Sequence, residues 1–99
     1  MKAAYRAVIR RGTSEHIVQR SRFLGICVPI ESEAEAARVL EDQRKKHYGA
    51  RHHCYALALG HTLRRSSDDG EPPGTAGMPI LEVLLHHRVQ NALIVVTRY

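Results

Sequence analysis

Between Ser66 and Gly77 the chain reads Ser-Ser-Asp-Asp-Gly-Glu-Pro-Pro-Gly-Thr-Ala-Gly. Two hydroxyls, Ser66 and Ser67, and three carboxylates, Asp68, Asp69 and Glu71, lead into a proline–glycine turn and the start of a helix. Grouped carboxylates can hold a divalent ion or move protons. The backbone N–H groups of Thr75, Ala76 and Gly77, at a helix head, could receive an anion. The stretch fits neither familiar ion loop. With Gly70 as the sixth position of a calcium loop, Arg65 stands first, where an acid belongs. No Gly-Lys-Ser/Thr follows, so it is not a phosphate-binding loop. Two readings therefore stay open. Asp68, Asp69, Ser67 and Thr75 cap local backbone donors, or the loop presents a site for an anion, an RNA phosphate or a metal.

Two further groups of residues could do chemistry. His52-His53-Cys54 suggests zinc by residue type alone. Strand alternation puts His52 and Cys54 on one face and His53 on the other, and no paired ligand motif completes a set. Cys27 and Cys54 sit among apolar neighbours and read as buried thiols. Arg64-Arg65 just before the loop, and Arg98-Tyr99 at the end of the sequence, form the other group. Cations near backbone donors suit a phosphate, and a tyrosine stacks on a base. The competing reading of each arginine is a surface ion pair with Asp68, Asp69 or Glu71, worth under about 1 kcal/mol. If the strands ending at Gly60 and Arg98 are neighbours, Arg98 is expected at the sheet edge that holds Gly60 and the loop.

Charge is distributed in blocks. The chain carries 15 Lys and Arg against 10 Asp and Glu, and a basic surface of this kind can form a footprint for phosphate backbones. Residues 43–66 hold Arg44, Lys45, Lys46, Arg51, Arg64 and Arg65 with no acid, between an acidic stretch over 31–42 and the acidic loop. The hydrophobic fraction of 43% excludes a disordered chain. The longest apolar run, Ala92–Val96, is far short of the ~20 residues of a membrane helix. The N-terminal charges exclude a secretory signal, and two cysteines make no disulfide framework, so the expected compartment is the reducing cytoplasm.

These residues need elements to position them. Residues 3–10 and 14–20 read as two strands hinged at Gly12-Thr13. Residues 22–30 read as a third strand. Ser32-Glu33-Ala34-Glu35 is a capping box, and Ala36, Val39, Leu40 and Gln43 recur at helical spacing, which predicts a helix over 32–47. A fourth strand covers 52–59. The stretch 61–74 has no apolar periodicity and reads as a long loop. A second helix spans 75–87 with Pro79 in its first turn. The apolar strand 92–98 is expected to be central and covered on both faces. The order is β-β-β-α-β-α-β, an α+β domain of 99 residues.

With the elements in place, several segments together resemble the N-terminal domain of the YigZ/IMPACT family. They are Ser21-Arg22-Phe23, His53-Cys54-Tyr55-Ala56, Arg65 through Pro72 with Gly74-Thr75-Ala76-Gly77, Pro79-Ile80-Leu81, and Val95-Val96-Thr97-Arg98-Tyr99. Pro73 and Met78 are mild departures, at positions where the family favours a small and a basic residue. The resemblance implies a ribosomal protein S5 domain 2-like two-layer sandwich. It also implies that a glycine-rich segment and a final helix follow Tyr99, so that the domain is incomplete at its C-terminus, and that bacterial members carry a second, ferredoxin-like domain. Eukaryotic members regulate translation initiation. No catalytic residue, metal or cofactor is carried over. The expected function is a non-catalytic binding module linked to translation through RNA, the ribosome or a protein partner. Its expected contacts lie among Arg64, Arg65, Ser66, Ser67, Asp68, Asp69, Gly70, Glu71, Thr75, Arg98 and Tyr99. The alternative is a phosphate- or metal-dependent hydrolase using Asp68, Asp69 and Glu71.

Overall fold

A computed structural model of the protein describes residues 4–99. Five strands form one antiparallel sheet: β2 (Gly12–Val18), β3 (Ser21–Pro29), β4 (His52–Leu59), β5 (Leu63–Ser67) and β7 (Ala92–Arg98). Their spatial order is β2-β3-β7-β4-β5. The short strands β1 (Arg6–Ala7) and β6 (Val89–Gln90) pair in parallel as a separate two-stranded ladder. Two helices, α1 (Glu33–Lys46) and α2 (Gly77–His86), pack on the five-stranded sheet. The α+β architecture is as expected, and each helix makes a two-layer contact with the sheet.

The apolar strand is the centre. β7 lies between β3 and β4, with Leu93 and Val95 fully buried on one face and Ala92 buried on the other. Alternation along β4 and β7 divides the core. Leu57, Leu93 and Val95 join Ile26, Val28, Ala36 and Val39 under α1. Ala56, Ala58 and Ala92 join Leu81 and Leu84 under α2. The alanines on the second face let α2 come close to the backbone of β4. α1 begins as the capping box requires, with the Glu35 N–H donating to Ser32 Oγ at 3.1 Å. Its predicted inner face is the observed one, down to Gln43, which is 5% exposed.

Three elements differ from the sequence reading. The first hairpin turns at Gln19-Arg20, because Val18 pairs with Ser21, and Gly12 is already inside the strand. Gln19 takes the left-handed conformation at φ 56° that the turn needs, without the usual glycine or asparagine. The expected strand over 3–10 reduces to β1, which pairs with β6 and not with β2; Ala3 of that strand lies outside the described residues. The stretch 61–74 is not one loop. Its first part is β5, hydrogen-bonded to β4 after a turn at Gly60–Thr62. The sequence Leu-Arg-Arg-Ser-Ser hides this strand because an edge strand carries polar and charged side chains.

Candidate functional site

β5 returns the chain to the end of the sheet where β4 starts and β7 finishes. His52 pairs with Arg98 across that end. Arg98 therefore lies at the opposite end of the sheet from Gly60, whose N–H donates to Asn91 Oδ1. The expected neighbourhood of Arg98 with the loop holds; its neighbourhood with Gly60 does not. The antiparallel pairing of β4 and β7 requires this, and the β4–β5 hairpin carries the loop round to Arg98.

Each carboxylate of the loop has its own partners. Asp68 caps α2 from a distance: Oδ1 accepts the N–H groups of Ala76 and Gly77 at 3.0 and 2.8 Å, and Oδ2 accepts that of Gly74 at 2.9 Å. These bonds hold its carboxyl below the usual aspartate range. The helix donors that could have met an outside anion are thus taken by a built-in one. The Thr75 N–H is engaged as well, donating to Pro72 O. Asp69 accepts the His53 N–H at 2.7 Å and faces the Arg44 guanidinium at 3.4 Å. Glu71 receives Arg98 Nη1 on both oxygens at 2.8 Å and meets His52 Nε2 at 3.0 Å. The other nitrogen of His52, Nδ1, lies 2.7 Å from Asp69 O. The His52 ring is therefore clamped between a carboxylate and a carbonyl.

The remaining loop residues serve the same clasp. Ser67 Oγ accepts the Asp69 N–H, and Thr75 Oγ1 donates to Pro72 O. Ser66 Oγ lies 3.6 Å from Met78 Sδ. Gly70 has φ 89°, and a Cβ there would stand 3.2 Å from His52 Nδ1. Cys54 Sγ donates to Asp68 O at 3.2 Å. Burial, with the nearby carboxylates adding to it, pushes its thiol up to about 11, and burial raises Cys27 too. Both cysteines are free thiols. His53 packs on the other face, 6% exposed, with Nδ1 3.1 Å from Thr97 Oγ1. Desolvation first, then Arg44, pulls its pKa below the ordinary value. Among the described residues no three His, Cys, Asp or Glu side chains gather as a metal-holding group.

The four basic and aromatic candidates do not converge. Arg64 folds back on its own hairpin, reaching Leu63 O at 2.8 Å and His61 O at 3.2 Å. Arg65 points to the α1 side and pairs with Glu33 at 3.4 Å. Arg98 is in the clasp, its guanidinium 5.8 Å from the centroid of Phe23. Tyr99 turns to α1: its hydroxyl lies 2.8 Å from His47 Nδ1 and its ring sits 5.5 Å from the Arg22 guanidinium. A cleft beside the clasp, lined in part by Phe23, Ile80, Val96 and Arg98, has a volume of about 170 Å³. That is below the roughly 300 Å³ at which small-molecule sites begin. Three of these partners carry no such signal in the sequence: His52 reads there only as a zinc-type residue, Arg44 only as one of the acid-free block, and His47 is not marked at all.

With this geometry in view, residues 19–99 match the Impact N-terminal domain. The chain belongs to the IMPACT family. The family member YvyE of Bacillus subtilis is 38% identical over 101 residues, covering 100% of this chain and 46% of that protein. YigZ of Escherichia coli is 37% identical over 86 residues, covering 83% of this chain and 42% of that one. A crystal structure of a hypothetical protein superimposes with a TM-score of 0.89 at 35% identity, covering 92% of this chain and 46% of its own. The chain thus spans a little under half the length of these IMPACT relatives. Among the described residues, no helix is long and apolar enough to cross a membrane.

Proposed function

We propose that this IMPACT domain is a non-catalytic binding module of the cytoplasm, acting in the regulation of translation through a component of that machinery. The observation that carries the reading is the internal engagement of Asp68, Asp69 and Glu71. Each carboxylate is bound to a different donor of the fold, so the loop is a structural clasp that holds α2 and the strand ends together. Nothing in this arrangement favours hydrolysis. Outside the clasp the remaining Lys and Arg outnumber the remaining Asp and Glu. Family membership supplies the link to translation, as an analogy of family and not of site.

The test is capture of the tagged full-length protein from its own cells. Bound RNA is sequenced and bound proteins are identified, at about 50 and 200 mM salt. Enrichment of ribosomal RNA, ribosomal proteins or translation factors is the expected result. Equal recovery of all of these with a tagged unrelated protein would overturn the reading.

A further inference from the structure

The acid-free block over residues 43–66 is divided by the fold. Arg64 and Arg65 are engaged by hairpin carbonyls and by Glu33. The part over 44–51 is not absorbed in the same way. α1 ends with Arg44, Lys45 and Lys46, and the chain then makes a turn closed by the Ala50 N–H on His47 O before Arg51 enters the sheet. Among the described residues Arg44 and Lys45 have acidic partners, in Asp69 and Glu41, but Lys46 and Arg51 have none. At the tip of this turn stands Tyr48, 89% exposed.

Helix-dipole complementarity accounts for cations in the last turn of α1. It does not account for Arg51, which lies beyond the helix, or for an aromatic ring held in water. The setting is basic: after desolvation, Lys46 and Arg22 pull the His47 pKa down. Beside this turn an open groove of about 510 Å³ begins at Lys46 and His47 and runs past Arg22 to Arg11, and the one acid on its walls, Glu15, is paired with Arg22. Cations along a groove, next to a turn that carries free cations and an exposed ring, match a sugar–phosphate backbone with an unstacked base.

We infer that the turn after α1 is a binding site for single-stranded RNA, with Tyr48 stacking on a base and Lys46 and Arg51 meeting its phosphates. The inference deepens the binding-module reading and rests on it. It places the RNA contact on the α1 turn, away from Arg64, Arg65 and the acidic loop.

The test is titration of the full-length protein with a fluorescent single-stranded oligouridine at about 50 and 200 mM salt. The unmodified protein is expected to bind, more weakly at the higher salt. Lys46→Glu with Arg51→Glu should weaken binding at least tenfold. It should also flatten the slope of log affinity against log salt by about one or more. Tyr48→Ala should weaken binding about fivefold or more, and Tyr48→Phe should keep it. Arg64→Ala should bind as the unmodified protein does. All the altered side chains except Arg64 are exposed, and circular dichroism checks that each variant folds. If the protein binds oligouridine and the α1-turn variants bind equally well, this inference fails while the binding-module reading stands. If the protein does not bind oligouridine, or prefers a duplex of equal length, the inference also fails. The capture experiment then judges the wider reading by itself.

Discussion

Cys54 follows two histidines in the sequence and is hydrogen-bonded to the loop that carries three carboxylates, yet its environment suppresses thiol chemistry. Its Sγ is buried and donates to a carbonyl, and its pKa is pushed up to about 11. A nucleophilic cysteine needs the opposite surroundings, a nearby cation and an exposed sulfur. At pH 8 an ordinary thiol is about a quarter ionised, whereas one with a pKa near 11 is about a thousandth ionised. Alkylation of native Cys54 by iodoacetamide should therefore run about two orders of magnitude slower than that of a free thiol. It should become fast in denaturant. Mass spectrometry of the timed reaction reads this directly, and rapid native labelling at Cys54 would contradict the buried geometry.

At the scale of elements, the acidic loop works by closing α2 onto β5. Asp68 takes the place of an N-cap residue, which Ala76 cannot fill because it has no side-chain acceptor. The approach is tight. A Cβ on Gly77 would stand 2.7 to 2.8 Å from backbone atoms of Ser67, closer than real contacts allow. Backbone cannot swing aside like a side chain, so Gly77→Ala should cost about 1–3 kcal/mol in urea unfolding. Arg65→Ala, which removes only an exposed pair with Glu33, should cost under about 1 kcal/mol. Equal losses in the two variants would refute the clasp. The same contrast explains what could be read from the residues. α1 was legible to its inner face because capping and periodicity agree. The central place of β7 was legible because an apolar run has to be covered on both sides. β5 was not, since a polar edge strand has no period to show. The special character of 66–77 was visible in its residue types. Its role was not, because Asp68 reaches donors up to nine positions away and only the β4–β5 hairpin brings Arg98 and His52 to Glu71.

At the scale of the whole molecule, the buried and capping groups set how stability responds to pH. His53 has a lowered folded pKa, so the unfolded chain takes up its proton first, around pH 6.5. Between that value and the folded pKa the unfolded state binds more protons, and folding weakens as pH falls. His47 has the same sign, with less weight because it is less enclosed. Asp68 also has a lowered folded pKa. Its contribution is present above the unfolded value of about 4 and is lost as pH falls through the folded one. The protein should therefore keep a level stability between about pH 7 and 8, and lose some above about pH 8.5, where the unfolded thiols of Cys27 and Cys54 ionise before the folded ones. It should lose stability gently from about pH 6.5 with a slope of at most ~1.4 kcal/mol per unit for each histidine. A second decline should begin below about pH 4, when the clasp over α2 loses its anion. His53→Gln keeps a polar group opposite Thr97 and removes the titration. Chemical unfolding of the two proteins between pH 5 and 8 separates the causes. The variant should be flatter over the upper part of that range whatever its absolute stability, and an unchanged slope would remove His53 from the account.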